Sequence, residues 1–190
     1  YSPDGKQVLT KAEDTTSKVW DAQTGQLLLD LKGHKGSINS AVYSPDGRRI
    51  LTGSWDKTAK VWDAQTGQIL LDLKGHSEQI NLYFSPDGDR ILIKARNETF
   101  KLWDLKTGKF LLNLKGIGYS NLAIFSPDGK RIITEEWGKT AEVWDTQTGQ
   151  LLLSLKGNSG SISCATFSPD GKRIATGSRD TTAKIWDAQT

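Results

Sequence analysis

The sequence predicts an all-β fold of repeated four-stranded antiparallel sheets, and three observations carry that prediction. First, Ser-Pro-Asp-Gly occurs five times, at residues 2–5, 44–47, 85–88, 126–129 and 168–171, at intervals of 42, 41, 41 and 42 residues. Proline presets φ for the second position of a turn, aspartate tolerates the third, and glycine accepts the left-handed closing position, so each copy marks a strand-to-strand corner. Second, WDAQTGQLLLDLKGH, from Trp20 to His34, returns from Trp62 to His76 with one change in fifteen. A fixed period with such identity is the mark of internal duplication. Third, no stretch between turns is long enough for three full helical turns.

Within one period, SINSAVY (37–43), RRILTGS (48–54), AKVWD (59–63) and QILLDL (68–73) are short, rich in β-branched, aromatic or leucine residues, and bounded by turn chemistry. These are four strands, joined at SPDG, SWDK and DAQTG, with KGHKG leading into the unit. Apolar residues at adjacent positions in SAVY and ILLDL predict strands covered on both faces. One sheet cannot bury two apolar faces alone, whereas blades packed face to face around an axis can. A β-propeller follows, with about four and a half blades: a partial blade at 1–31, blades at about 33–73, 75–114 and 116–155, and a partial blade at 157–190. Propellers of this kind usually close with more blades, so the chain is expected to be a segment of a longer protein or to close by self-association.

Composition narrows the function classes. With 36% apolar and 25% charged residues the chain reads as a soluble globular domain rather than a disordered one. A net charge of +3, spread along the chain, gives no field for a nucleic-acid partner. No apolar run approaches the ~20 residues needed to span a bilayer, so no membrane role is expected. Cys164, the single cysteine, cannot form an internal disulfide; SISCATF places it in a buried strand, and a cytoplasmic location fits. The two histidines, His34 and His76, sit at repeat positions, and the glycines belong largely to turns, so neither a metal nor another cofactor is expected.

Gly-His at 33–34 and 75–76, and Trp-Asp beginning at 20, 62, 103, 144 and 186, keep their mutual spacing in tandem. The sequence thereby resembles the WD-repeat family of propellers, and in wording it resembles the near-identical repeats of bacterial multidomain proteins. The resemblance implies a hydrogen-bonded network of His34, Ser54, Asp56 and Trp62 that locks the second blade. The matching sets elsewhere depart from it: His76, Ala95, Asn97 and Trp103; Ile117, Glu136, Gly138 and Trp144; Asn158, Ser178, Asp180 and Trp186; and Ala12, Asp14 and Trp20. The third and fourth blades also have one residue fewer between Lys-Gly and SPDG. Faster hydrogen exchange is expected there than in the second blade. His34, Ser54 and Asp56 form a hydrolase-like set on paper, but Trp62 would occupy the hydroxyl and no GxSxG elbow is present, so no catalytic residue is expected.

The residue before the corner aspartate position changes from blade to blade while its surroundings repeat: Glu13, Trp55, Arg96, Trp137 and Arg179. Tryptophan and arginine dominate binding hot spots, so these five residues predict a protein-partner surface. A non-catalytic interaction or sensing module is the expected function, with a self-assembling structural repeat and an enzyme on a propeller scaffold as alternatives. Arg49, Arg90, Arg131 and Arg173 recur five residues after the SPDG serine. Arg49 is expected opposite Asp63 as a cross-strand ion pair, the alternative being a basic ring for an anionic partner.

Overall fold

The computed structural model describes residues 1–12, 14–76, 80–95, 99–114, 122–136 and 138–189. Eighteen strands form five antiparallel sheets, with no helix among the described residues. The first sheet holds β1 (Gln7–Lys11), β2 (Thr16–Asp21) and β3 (Leu27–Lys32). The second holds β4 (Ile38–Tyr43), β5 (Arg49–Ser54), β6 (Ala59–Asp63) and β7 (Ile69–Leu73). The third comprises β8 (Ile80–Phe84), β9 (Arg90–Ala95), β10 (Phe100–Asp104) and β11 (Phe110–Leu114). The fourth comprises β12 (Ala123–Phe125), β13 (Arg131–Glu136), β14 (Thr140–Asp145) and β15 (Leu151–Leu155). The fifth has β16 (Ile162–Phe167), β17 (Arg173–Ser178) and β18 (Ala183–Asp187). Neighbours in each sheet are neighbours in sequence, which is the meander of a propeller blade.

The corners are held by their own side chains. Ser44 Oγ donates to Asp46 Oδ1 (2.5 Å) and accepts the Arg49 N–H (2.9 Å), while Gly47 closes the turn at φ 70°. Asp63 Oδ1 accepts the N–H groups of Gln65 (3.0 Å) and Thr66 (2.7 Å) and the Thr66 hydroxyl (2.9 Å). These local bonds give the backbone at each bend the partners a sheet ladder cannot supply.

The chain divides into two compact units, Tyr1–Arg96 with Trp103–Lys109, and Asn97–Leu102 with Phe110–Thr190. In the first, Leu51, Val61, Ile80, Ile91 and Ile93 form the centre of the core where β4 and β5 pack on β8. In the second, Ile133, Val143, Ile162, Phe167 and Ile174 do the same where β12, β13 and β14 pack on β16.

Three local features depart from the expectations. Cys164 is exposed rather than buried. The outer strands are not covered on both faces: Leu27 and Leu28, Ile69 and Leu70, Phe110 and Leu111, and Leu151 and Leu152 are all exposed. Trp62 pairs with Ile69 but Val61 pairs with Leu71, so Leu70 is an extra residue on β7, as Leu28 and Leu152 are on β3 and β15. A bulge breaks the in-out alternation, so adjacent apolar residues here mark an exposed rim.

The third feature explains the alternating period. On β4, Ile38 pairs with Ser54 and Ser40 with Gly53, leaving Asn39 as an extra bulged residue; on β16 the extra residue is Ser163. β8 pairs without interruption, Ile80 with Ala95 and Asn81 with Lys94. The added residue in the 42-residue intervals is therefore the bulge. Beneath it lies glycine: a Cβ at Gly53 would sit 3.1 Å from Ile80 Cβ and 3.3 Å from Asn39 Oδ1, and one at Gly177 would sit 2.7 Å from Cys164 Sγ. The unbulged third blade carries buried Lys94 at that position, and the fourth carries buried Glu135.

Candidate functional site

The side chains around His34 form the most connected polar cluster of the second blade. Trp62 pairs with Ile50 across β5 and β6, and Thr52 lies two residues further along the same face. The Trp62 indole N–H donates to Thr52 Oγ1 (2.7 Å), and Thr52 Oγ1 meets His34 Nε2 (2.8 Å). His34 Nδ1 lies 2.9 Å from Asp56 Oδ2. Burial lowers the His34 pKa below 6.5 and outweighs the opposing pull of Asp56, so the ring is neutral at pH 7. The neutral ring donates from Nδ1 to Asp56, which leaves Nε2 to accept the Thr52 hydroxyl proton. Every polar hydrogen in the chain then has one acceptor.

Burial alone would raise the Asp56 pKa, but the Thr58 hydroxyl, the Lys35 N–H and His34 together hold it at about 2. Those bonds measure 2.6 Å from Thr58 Oγ1, 2.7 Å from the Lys35 nitrogen and 2.9 Å from His34. Both groups make the fold acid-sensitive. The unfolded chain takes up a proton on histidine near pH 6.5 that folded His34 refuses, so stability falls as the pH drops below that value. Asp56 contributes stability above pH 3.8 that is lost as the pH falls towards about 2. Urea midpoints measured from pH 8 to 2 should decline in both windows, and His34→Gln should shrink the upper step.

Ser54 is not the hydroxyl of this chain. Its Oγ donates to the Gly36 carbonyl (2.8 Å) and accepts the Asp56 N–H (3.1 Å), tying the corner together. The indole reaches its diagonal neighbour, and Ser54 lies about 7 Å beyond Thr52 along the strand. The signal was present in the sequence, since threonine stands ten residues before the tryptophan at Thr10, Thr52, Thr134 and Thr176. Trp20, Trp144 and Trp186 donate to Thr10 (2.8 Å), Thr134 (2.8 Å) and Thr176 (2.9 Å). The third blade has Ile93 there, which offers no hydroxyl.

Of the five corner residues, Glu13, Arg96 and Trp137 lie outside the described residues, as do Asn97 and Ile117 and the side chains of Ala95 and Glu136. Trp55, in the first unit, is 44% exposed, and its N–H is anchored to the Ser37 carbonyl (3.0 Å). Arg179, in the second unit, is exposed and anchored in the same way to Ser161 (2.7 Å). Among the described residues, no group of three or more His, Cys, Asp or Glu is placed to hold a metal ion. Among the same residues, no helix is long and apolar enough to cross a membrane.

The family model described as WD domain, G-beta repeat, matches residues 25–63 and 149–187. Both matched segments are WD repeats. No curated protein matches it. WD repeats generally mediate protein–protein interaction.

The WD repeat of the fifth blade is incomplete in an instructive way. Asn158 takes the place of His34; it is 8% exposed and neither amide atom has a partner. Asp180 is already in position, accepting the Ser159 N–H (2.8 Å) and the Thr182 hydroxyl (2.6 Å), and the Thr182 bond leads the effects that hold its pKa well below 3.8. An amide is too short to span Thr176 and Asp180 as an imidazole does. Asn158→His should therefore gain about 1–2 kcal/mol by removing a buried unpaired amide, read as a rise in Tm.

The recurring arginines occupy the expected register, Arg49 opposite Asp63, Arg131 opposite Asp145 and Arg173 opposite Asp187. Arg49 does not form the expected ion pair, because Asp63 is engaged by its own turn. Arg49 Nη2 instead lies 3.9 Å from both Asp46 and Asp89, and Arg131 reaches into the next blade.

Proposed function

We propose that this protein is a non-catalytic interaction or sensing module acting in the cytoplasm, and that it engages a protein partner through the corner residues Glu13, Trp55, Arg96, Trp137 and Arg179. The observation that carries this reading is Trp55. Its ring is 44% exposed on a corner whose backbone is fixed by Ser37, Ser54 and the Asp56–His34–Thr52–Trp62 chain. A half-exposed indole on a rigid support loses little conformational entropy on binding, which is the economy of a hot-spot residue. A photo-crosslinking amino acid at position 55 should capture a defined partner that the same group at Lys6, on the opposite end of the strands, does not capture. Trp55→Ala should weaken that complex by about tenfold or more with Tm unchanged. Equal capture from both positions would count against the reading.

Self-assembly is a second reading with one observation behind it. Ile185 on β18 is 66% exposed, whereas its counterparts Val61 and Val143 are 1% and 0% exposed under a neighbouring sheet. Light scattering that finds a defined oligomer, reduced to monomer by Ile185→Lys, would favour it.

A further inference from the structure

The first unit contains a cavity of 490 Å³ at the SPDG end of the first two blades. Its walls include Gln7, Gly47 and Ala64, three carboxylates, Asp4, Asp46 and Asp63, and one cation, Arg48. The internal repeat explains its shape. Gln7 is the fifth residue after the SPDG serine, the position held by arginine in every other repeat. In the fourth blade Arg131 Nη1 donates to the Ala188 carbonyl (2.5 Å) and Nη2 to the Gly171 carbonyl (2.7 Å), with its guanidinium carbon 5.4 Å from the centre of the Phe167 ring. Arg49 takes the equivalent seat beside Gly88, where an added Cβ would lie 3.5 Å from its Nη2.

By the same repeat, Gly47 and Ala64 are the counterparts of Gly171 and Ala188, and Tyr43 is the counterpart of Phe167. Their neighbour Gln7 is shorter than arginine and is turned aside, its Oε1 accepting the Tyr43 hydroxyl (3.0 Å). The Gly47 and Ala64 carbonyls accept no hydrogen bond among the described residues. The carboxylates are ionised at neutral pH: Asp4 is held below 3.8 by the Ser2 hydroxyl and Asp63 by the Thr66 N–H. Asp46 is held there, against burial, by the Ser44 hydroxyl.

We propose that this cavity binds a guanidinium group, supplied by an arginine side chain or by a small guanidinium compound. Two carbonyl oxygens suit the planar fork of a guanidinium, and the three carboxylates of the wall outnumber its one lining cation, with Arg49 lying 3.9 Å from Asp46 alone among them. An ammonium has the charge but not the fork. The site lies at the opposite end of the strands from Trp55 and stands independently of the corner surface.

The test titrates agmatine, capped Gly-Arg-Gly and capped Gly-Lys-Gly into the ¹⁵N-labelled chain, following the amides of Arg48 and Gln65, in the wild type, Gln7→Arg and Gln7→Met. Agmatine or the arginine peptide should bind at least about fivefold tighter than the lysine peptide. Gln7→Arg should abolish that binding and raise Tm by about 4 °C, because its own side chain fills the seat; Gln7→Met should retain binding. Saturation by agmatine alone would identify a small-molecule source, and preference for the arginine peptide a side chain. Equal affinity for lysine, binding that survives in Gln7→Arg, or no shift with any probe would overturn the proposal.

Discussion

Thr52→Val is expected to destabilise the protein by about 2–4 kcal/mol, more than Ser54→Ala, which should cost about 1 kcal/mol. Valine preserves the shape of threonine and its fit in the strand, so the difference isolates the hydroxyl. That hydroxyl serves two buried groups, accepting from the Trp62 indole and donating to His34 Nε2. Its removal strands both partners at once, and each must bear a desolvation cost with no water to compensate. Ser54 is buried as well, but its one bond to a carbonyl and one from a backbone N–H go to Gly36 and Asp56, which are half-buried, so water can reach the groups its loss leaves unpaired. Urea unfolding of the two variants beside wild type decides the order. If Ser54→Ala cost as much as Thr52→Val, the hydrogen-bond path described for the second blade would be wrong.

Gly36→Ala is expected to cost about 2–3 kcal/mol, although glycine there needs no unusual φ. A Cβ on Gly36 would lie 2.8 Å from the Asp56 nitrogen and 3.2 Å from the Trp55 carbonyl carbon. Both are backbone atoms, so neither can swing away. The segment carrying His34 must then lift from the corner, stretching the Asp56 contacts to Lys35 and His34 and moving Trp55 with it. Gly160 repeats the geometry in the fifth blade, where an added Cβ would lie 2.6 Å from the Asp180 nitrogen. Gly5→Ala, with φ 72° but nothing within 4 Å of the new methyl, is the control and should show only the strain of a left-handed alanine, about 1 kcal/mol. Equal losses at Gly5 and Gly36 would refute the close-approach explanation.

Much of the architecture was legible because it is written in local chemistry. The SPDG and DAQTG corners bring their own hydrogen bonds, so strand boundaries follow from the residues that interrupt them. What was missed depends on pairs that sequence distance does not rank. Ser54 and Thr52 are both hydroxyls on one strand face, and only the cross-strand position of Trp62 selects Thr52. Arg49 was placed opposite Asp63 correctly, but register does not reveal that the carboxylate is already occupied by Thr66. Adjacent leucines on the outer strands read as two-sided burial because a bulge imitates that pattern. The corner residues were found by their variation within a constant frame, which identifies a position without saying what it meets.

The bulge at Asn39 and Ser163 bears on how such a chain can grow. Inserting one residue into a strand ordinarily reverses which face every later side chain points to, and the sheet loses its core. Here the added residue is set aside locally: Ser40 stands where Asn81 stands in the third sheet, and each later pair keeps the same partner. Units of two lengths are thus interchangeable cassettes, and a copying error of one codon triplet at that point is absorbed without loss of phase. The glycine beneath the bulge and the charged residue in its absence are the two matched settings of one joint.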